Sequence, residues 1–220
     1  MFEHNVVQER TINDAWRSAL WCCVRKGHRY KTMGGSYEGM ERLQLDTLQI
    51  VITEPWTRPL AVVTPDGMPA PTSDEAIITY FMDYLMTAEK AEGEDYTYGQ
   101  FISRGINYVI NSLNASRGNT NQACLNIGAA SPTVYKDPPC LRVIDFKAVD
   151  DKLYMHIYFR SWDLFAGLPQ NLGGLQLLKE YVLQHLTFQF EDGPIVAYSS
   201  GGHVYQMYYD LVDRLCVDKV

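Results

Sequence analysis

The sequence predicts an α/β fold of the α+β kind: a single domain over residues 1–220, with a mixed, mostly antiparallel sheet covered by helices. Helical and strand-like segments are interleaved along the chain, which is typical of helices packed on a sheet. Two alternating runs, 141–148 and 152–160, meet at Asp150-Asp151 and predict an antiparallel hairpin. We find no repeat, low-complexity tract or polar linker, which favours one domain.

The first half of the chain is predicted to contain two helices and one strand. Thr11 can cap a helix and Gly27 can terminate one, which predicts a helix over residues 15–26. The run 45–53 alternates and is rich in β-branched residues, as strands are. The other predicted segments are a glycine-rich loop over 30–42, a proline-rich loop over 59–73, and a helix from Ser73-Asp74-Glu75 to about Lys90.

The second half contains the predicted hairpin between further helices and strands. Asn171 stands before a strongly apolar segment and is predicted to cap that helix. In order, the predicted elements are a helix over 100–113, a strand over 124–127, the hairpin, a helix over 172–184, a strand over 195–199, the Gly201-Gly202 turn and a helix over about 203–215.

Composition limits the function classes. The net charge of −7 argues against a nucleic-acid duplex or an anionic membrane as the main partner, although local arginines can still bind a small anion. No segment approaches the 18 or so apolar residues of a membrane span, and the N-terminus does not resemble a signal peptide. The five cysteines lack metal-ligand spacing, so we expect a cytoplasmic protein without a metal site or structural disulfides.

Four polar clusters stand out against this background. They are Cys140 directly after Pro138-Pro139, the segment Arg160-Ser161-Trp162-Asp163, the turn from Gly167 to Asn171, and Gly201-Gly202-His203-Val204-Tyr205. Each has a structural explanation of its own, namely a buried thiol, a salt bridge, a helix cap and a turn. Two prolines also hold the chain stiff and extended, which is a way to position a nucleophilic thiol.

Taken together and in order, these clusters resemble the thymidylate synthase family. The matching motifs are x-P-C at Pro139-Cys140, R-S-x-D at Arg160, Ser161 and Asp163, G-L-P-x-N from Gly167 to Asn171, H-x-Y at His203 and Tyr205, and the upstream Y-G at Tyr98-Gly99. The resemblance covers about half of the chain. In its length the chain looks closer to the compact archaeal-type members than to the longer bacterial ones. It implies the family fold and a homodimer formed by packing sheets face to face.

The chemistry needs a nucleophile, because C5 of a pyrimidine reacts only after a group has added to C6. A thiolate can add and later leave, and Cys140 is the cysteine in the right setting, with Arg160 as the cation that would favour the thiolate. The resemblance implies a pyrimidine nucleoside monophosphate as substrate and methylenetetrahydrofolate or an analogous tetrahydropterin as one-carbon donor. The implied roles are phosphate binding by Arg160 and Ser161, base reading by Asn171, ribose binding by His203 and Tyr205, cofactor binding by Asp163 and Gly167, and polarisation of the ring carbonyl through Tyr98.

Some family positions are altered in this chain. Asn121-Gln122 stands where members carry an arginine pair that reaches the phosphate of the neighbouring subunit, and Arg117 is the nearest substitute. Arg42 is the candidate for the N-terminal phosphate arginine. Asp83 is the nearest carboxylate to the position of the general acid.

Three functions remain open. A synthase would convert dUMP to dTMP, whereas a hydroxymethylase acting on dUMP, dCMP or CMP would let water capture the same methylene group. Asn171 favours uracil, and the early end of the chain after Tyr205 favours an open site and hydroxymethylation. The third function is that of a family member without catalysis that binds a nucleotide or a partner.

Overall fold

We describe residues 3–34, 37–129 and 135–216 from a computed structural model of the chain. The strands are β1 (Asn5–Glu9), β2 (His28–Lys31), β3 (Glu41–Gln44), β4 (Leu48–Ile52), β5 (Cys124–Asn126), β6 (Leu141–Val149), β7 (Lys152–Phe159), β8 (Trp162–Asp163), β9 (Glu191–Ser199) and β10 (Gly202–Tyr205). The helices are α1 (Ile12–Lys26), α2 (Asp74–Tyr80), α3 (Gly99–Ser116), α4 (Gly167–Gln184) and α5 (Tyr209–Cys216). A short π-helix, Phe81–Leu85, continues α2, and a 3-10 turn, Gln206–Tyr208, precedes α5.

The strands form two sheets, where the sequence predicted one. The larger has the order β1-β4-β9-β7-β6-β5, and the smaller has the order β2-β3-β10-β8. Five of the strand pairs are antiparallel, whereas β1 with β4, β7 with β9 and β8 with β10 are parallel. The prediction of a mixed, mostly antiparallel sheet packed with helices is therefore confirmed, as is the central hairpin of β6 and β7.

The hydrophobic core lies between the six-stranded sheet and its helices. Alternate residues of β7 are buried, as the two-residue period of a strand requires. Trp16 of α1 is fully buried, and its indole nitrogen donates to the Phe165 carbonyl oxygen at 3.1 Å. Helix α1 is capped by Thr11 and followed by Gly27, both as predicted.

Two segments differ from their predicted structure because of pairing partners that are distant in sequence. Strands β2 and β3 lie within or beside the predicted loop over 30–42, and they pair with each other while β3 also pairs with β10. His203 and Tyr205 lie in β10, so the predicted helix from 203 was wrong in its start, and α5 begins only at Tyr209. Short polar strands with few apolar residues carry little local signal for a sheet.

The predicted helix from Ser73 is also shorter than expected. Ser73 caps α2, but the helical region ends at Leu85 instead of Lys90. In the part of the chain that the structure describes, no helix has the length and apolar character needed to cross a membrane.

Candidate active site

The polar clusters meet where the two sheets join. Strand β7 runs into β8 through Arg160-Ser161, and β9 runs into β10 through Ser200-Gly201. The backbone N–H of Arg160 donates to the Cys140 carbonyl oxygen at 2.9 Å, which fixes the Pro-Pro-Cys segment beside the end of β7. The topology of the hairpin therefore places Cys140 next to the Arg160-Ser161 pair.

A cavity of about 220 Å³ opens at this junction. Its lining residues are Thr32, Gly34, Tyr37, Arg42, Asp137, Cys140, Arg160, Ser161 and Tyr205. Five of these are residues that the sequence selected for nucleophilic attack, phosphate binding or ribose binding. The structure thus brings together side chains from four separate segments of the chain.

Cys140 is a partly exposed free thiol at the cavity wall. Burial is the main cause that raises the pKa of this thiol above its ordinary value, and Asp137 raises it further. Arg160 and Arg42 act in the opposite direction but do not outweigh the burial. Arg160 thus lowers the pKa of Cys140, which is the direction expected from the sequence, while desolvation disfavours the charged form more strongly.

Arg160 holds the loop that carries the thiol. Its Nε donates to the Pro139 carbonyl oxygen at 3.1 Å, and its Nη2 donates to the Pro138 carbonyl oxygen and to Asp137 Oδ1. The Asp137 carboxylate therefore binds guanidinium N–H groups that an anionic ligand would need. Asp137 precedes the two prolines directly, but a single acidic residue gave no signal of this contact in the sequence.

Arg42 faces the cavity from β3, where it pairs with Tyr205 of β10. Its Nε is buried and has no hydrogen-bond partner within the described ranges. Its Nη1 lies 3.5 Å from His203 Nε2, while His203 Nδ1 lies 2.8 Å from the Gly201 carbonyl oxygen. A carbonyl can only accept, so Nδ1 carries the proton and Nε2 accepts from Arg42.

His203 is buried and neutral at physiological pH. Burial is the largest cause that lowers the pKa of its imidazole to about 4, and the charge of Arg42 lowers it further. His203 and Tyr205 point to the same side of β10, as residues two apart in a strand do, and their rings pack edge to face at 4.6 Å. The geometry gives His203 the role of a hydrogen-bonding group without charge.

Asn171 was predicted to cap helix α4 but does not, and Asp163 instead binds the turn that leads into this helix. Asp163 Oδ1 accepts from the backbone N–H groups of Phe165 at 2.9 Å and Ala166 at 3.2 Å. Burial nevertheless raises the pKa of this carboxyl above its ordinary value. Because α4 begins at Gly167, five residues before the predicted start at Leu172, Asn171 lies within the helix and is free to make other contacts.

Gly167 allows Asp163 and Asn171 to approach closely. A Cβ atom at Gly167 would lie 3.3 Å from Asp163 Cβ and 3.6 Å from Asn171 Oδ1. Asp163, Asn171 and His203 do not line the 220 Å³ cavity, although they adjoin residues that do. Tyr98 is buried, and its hydroxyl accepts from the backbone N–H of Leu141 at 3.3 Å, directly after the thiol.

Two predicted site residues lie elsewhere. Asp83 is exposed and lines a second cavity of about 430 Å³, together with Tyr80, Tyr84, Glu94 and Gln170 among others. Arg117 ends α3 in the left-handed conformation and lies over the Phe188 ring at 5.1 Å. Within one chain, neither side chain reaches the cavity that contains Cys140.

In a cluster of tyrosines near Cys140, only Tyr98 was selected from the sequence. Tyr80, Tyr84, Tyr96 and Tyr98 pack ring against ring at centroid distances of 5.1 to 6.4 Å. Burial raises the pKa of each phenol, so the cluster is neutral. The spacing of Tyr80 and Tyr84, one helical turn apart, is the signal that could have identified the first pair.

Among the described residues, no three His, Cys, Asp or Glu side chains converge in a way that could hold a metal ion. The polar side chains that line the 220 Å³ cavity are two arginines, several hydroxyls, one carboxylate and the thiol. Such groups suit an organic anion with a hydrogen-bonding ring.

Comparison with known proteins gives a consistent result. The family profile described as thymidylate synthase matches residues 102–218, which is more than half of the chain. A protein of Methanosarcina mazei is 28% identical over 217 residues, covering 96% of this chain and 94% of that protein. A protein of Methanopyrus kandleri is 24% identical over 207 residues, covering 91% and 93%. Both carry the name "Putative thymidylate synthase".

Proposed function

The chain belongs to the thymidylate synthase family, and we propose that it transfers a one-carbon unit to C5 of a pyrimidine nucleoside monophosphate, converting dUMP to dTMP. The observation that carries the proposal is the 220 Å³ cavity, in which the Cys140 thiol faces Arg42, Arg160, Ser161 and Tyr205. A nucleophile beside two cations and two hydroxyls suits a phosphorylated, electrophilic ring.

Cys140 begins the reaction. Its sulfur, as the thiolate, forms a bond to C6 of the pyrimidine, and the C5=C6 electron pair moves toward C5 and the C4 carbonyl oxygen. C5 would then bond to the methylene carbon, and loss of the C5 proton would break the bond between that carbon and the donor nitrogen, which leaves an exocyclic methylene on the ring. Hydride supplied by the donor would convert this methylene to methyl as the sulfur leaves and the C5=C6 bond is restored. Burial and Asp137 raise the pKa of the thiol, and Arg160 and Arg42 lower it, so these two arginines would favour the thiolate that attacks.

Phosphate binding is assigned to Arg42, Arg160 and Ser161. Within the described ranges the buried Nε of Arg42 has no partner. This supports the assignment, because an unmade hydrogen bond of a buried charged group is costly until a ligand completes it. Arg160 can bind a phosphate bidentately once it releases the loop carbonyls and Asp137.

The base and sugar are assigned to the side chains around the cavity. Asn171 would read the pyrimidine edge, and His203 with Tyr205 would hold the ribose hydroxyl. The neutral Nδ1–H tautomer of His203 supports a hydrogen bond in place of a charge interaction. The Tyr98 hydroxyl accepts from the backbone N–H of Leu141, the residue after the nucleophile. From there Tyr98 would polarise the ring carbonyl of the substrate.

The one-carbon donor is assigned to the cavity lined by tyrosines. Methylenetetrahydrofolate would supply the methylene carbon and, in a synthase, the hydride that reduces it to methyl. The faces of Tyr80 and Tyr84 in the 430 Å³ cavity suit a flat pterin, with Asp83 at its wall. Asp163 and the adjacent Gly167 would orient the ring, since Asp163 is held by the start of α4.

A homodimer is part of the proposal. The face of the six-stranded sheet away from the core exposes Val6, Tyr158 and Tyr198, three large apolar or aromatic side chains on different strands. A second copy packed on this face would cover them, and Arg117 could contribute to phosphate binding only across such an interface. Light scattering during size-exclusion chromatography measures the mass, and a monomer at micromolar concentration would contradict this part.

The activity is tested with C5-tritiated dUMP, dCMP and CMP in the presence of methylenetetrahydrofolate. We expect tritium release from dUMP and a methyl product by mass. A hydroxymethyl product would replace the synthase assignment with that of a hydroxymethylase, and absence of release from all three nucleotides would favour a non-catalytic binding protein.

Cys140→Ser is the critical variant. We expect it to abolish release, because a serine hydroxyl is a far weaker nucleophile at neutral pH. Cys124→Ser is the matched control, since Cys124 is an exposed thiol on β5, and it should leave the rate unchanged. Continued release by Cys140→Ser would refute the mechanism.

A further inference from the structure

The side-chain amide of Asn171 is fixed at both ends by aromatic residues, the buried Trp162 and the half-buried Tyr80. Trp162 Nε1 donates to Asn171 Oδ1 at 3.0 Å, and Asn171 Nδ2 donates to the Tyr80 hydroxyl at 3.0 Å. An indole N–H can only donate, so the atom facing Trp162 has to be the amide oxygen. The two ends of the amide are therefore not interchangeable.

Both clamping residues are themselves held by packing. Trp162 is 2% exposed, and its ring stacks on Phe159 with centroids 4.3 Å apart and an interplanar angle of 5°. The Tyr80 ring lies against α4 where the helix has Gly174, at which a Cβ atom would come within 2.5 Å of Tyr80 Cδ1. Neither ring can turn away without moving its neighbours.

The clamp leaves one donor and one acceptor of the amide for a ligand. Asn171 Oδ1 keeps a second lone pair, and Nδ2 keeps a second hydrogen. A uracil edge offers the N3–H donor beside the O4 acceptor, whereas a cytosine edge offers the N3 acceptor beside the N4 amino donor. An amide that rotates by 180° matches either edge, but a fixed amide matches only one.

We propose that Trp162 and Tyr80 are positioning residues that determine base specificity, holding the Asn171 amide so that the site accepts uracil and rejects cytosine. The inference depends on the proposed function, in which Asn171 reads the base. Cytosine would place donor against donor and acceptor against acceptor, and such unpaired buried groups weaken binding strongly. The Tyr80 hydroxyl accepts from Asn171, so its own hydrogen stays available to donate to the substrate.

The test compares kcat/KM for tritium release from dUMP and from dCMP. We expect the unmodified protein to prefer dUMP by about a hundred-fold or more, and Trp162→Phe to reduce this ratio by about ten-fold or more, because the fixed donor is lost and the amide can rotate. A purely structural role would lower both rates alike and leave the ratio unchanged, which would overturn the inference.

A second variant covers the case in which Trp162→Phe does not fold. Tyr80→Phe removes only the hydroxyl that holds Nδ2 and should lower the ratio in the same direction. Tyr84→Phe is the matched control, since Tyr84 stacks on Tyr80 at 5.6 Å and should keep the ratio. An active protein with equal ratios in all variants refutes the inference alone. A preference of the unmodified protein for dCMP, or its inactivity on every nucleotide, refutes the proposed function with it.

Discussion

The two ends of helix α4 handle buried polar groups in different ways. Near its beginning, Asn171 is bonded to Trp162 and Tyr80, which are neutral and leave the amide with unused hydrogen-bonding capacity. Near its end, Lys179 is fully buried and forms an ion pair with Asp192 at 2.7 Å. Lys179 also donates to the Gly193 carbonyl oxygen, and Gln176 donates to Asp192 and Glu180.

The difference shows which end stabilises the fold and which end is open to a ligand. At the end of α4 the charge of Lys179 is compensated by Asp192. Burial lowers the pKa of Lys179 only to about 8, so its ammonium group stays protonated at pH 7. At the beginning, His203 avoids charge altogether and Arg42 keeps an unpartnered Nε among the described residues. Incomplete pairing of buried groups is expected where a ligand completes it.

The largest expected effect is on stability, from Lys179→Met. Removing one partner of a buried ion pair leaves the other charge uncompensated, so we expect unfolding to cost about 3–5 kcal/mol less than in the unmodified protein. Urea unfolding measures the loss. The double variant Lys179→Met/Asp192→Leu should recover part of it, and equal stability of single and double variants would contradict the role of the pair.

The exposed ion pair at the rim of the same network provides the control. Arg58 forms a bidentate contact with Glu180 at 2.8 Å, but its side chain is half exposed. Arg58→Met should therefore cost less than about 1 kcal/mol. A loss as large as that of Lys179→Met would remove the distinction between buried and rim charges.

A smaller effect is expected from His203 when the pH is lowered. The unfolded chain binds a proton on this histidine near pH 6.5, whereas the folded protein does so only near pH 4. Between these values the unfolded state holds more protons, so stability falls as the pH falls, by about 3 kcal/mol across the window. His203→Asn should flatten this slope in urea unfolding at pH 4 to 7, while His4→Asn, at an exposed position, should keep it.

The smallest effect is a change in the reactivity of the Cys140 thiol. Asp137 raises the thiol pKa and Arg160 lowers it, so Asp137→Asn should move the midpoint of iodoacetamide labelling to lower pH and Arg160→Met to higher pH. Peptide mass spectrometry of Cys140 labelling against pH gives the midpoints, separately from changes in exposure, which alter the plateau rate. Shifts in the same direction would contradict the electrostatic account.

Local patterns predicted much of the fold. The Thr11 cap with Gly27, the hairpin of β6 and β7, and the mixed sheet were all confirmed. The short strands β2, β3 and β10 were missed because β3 pairs on one side with β2 and on the other with the distant β10, where Tyr205 lies opposite Arg42. Propensity within a few residues does not report such pairing.

The features of the candidate site likewise fall into those that the sequence predicted and those that it missed. The order of Cys140, Arg160, Ser161, Asp163, Asn171, His203 and Tyr205 was enough to suggest the family, since each motif is local. The start of α4 was missed because the Asp163 carboxylate binds backbone N–H groups of the turn before the helix, and the apolar pattern did not mark these groups. Asp83 and Arg117 were chosen because they lie nearest in sequence to the family's motif positions. Nearness in sequence does not say in which direction a side chain in a loop or at a helix end points.

The sequence by itself determined the family, the nucleophile candidate and the set of groups available to a pyrimidine nucleotide, because residue types at fixed spacing define chemistry. Only the tertiary structure decided how readily those groups are protonated and how they are oriented. Burial raised the pKa of Cys140 and lowered that of His203, and residues 91 positions apart fixed the amide of Asn171 through Tyr80. Desolvation and hydrogen-bond direction depend on neighbours in space, and the chain acquires those neighbours only when it folds.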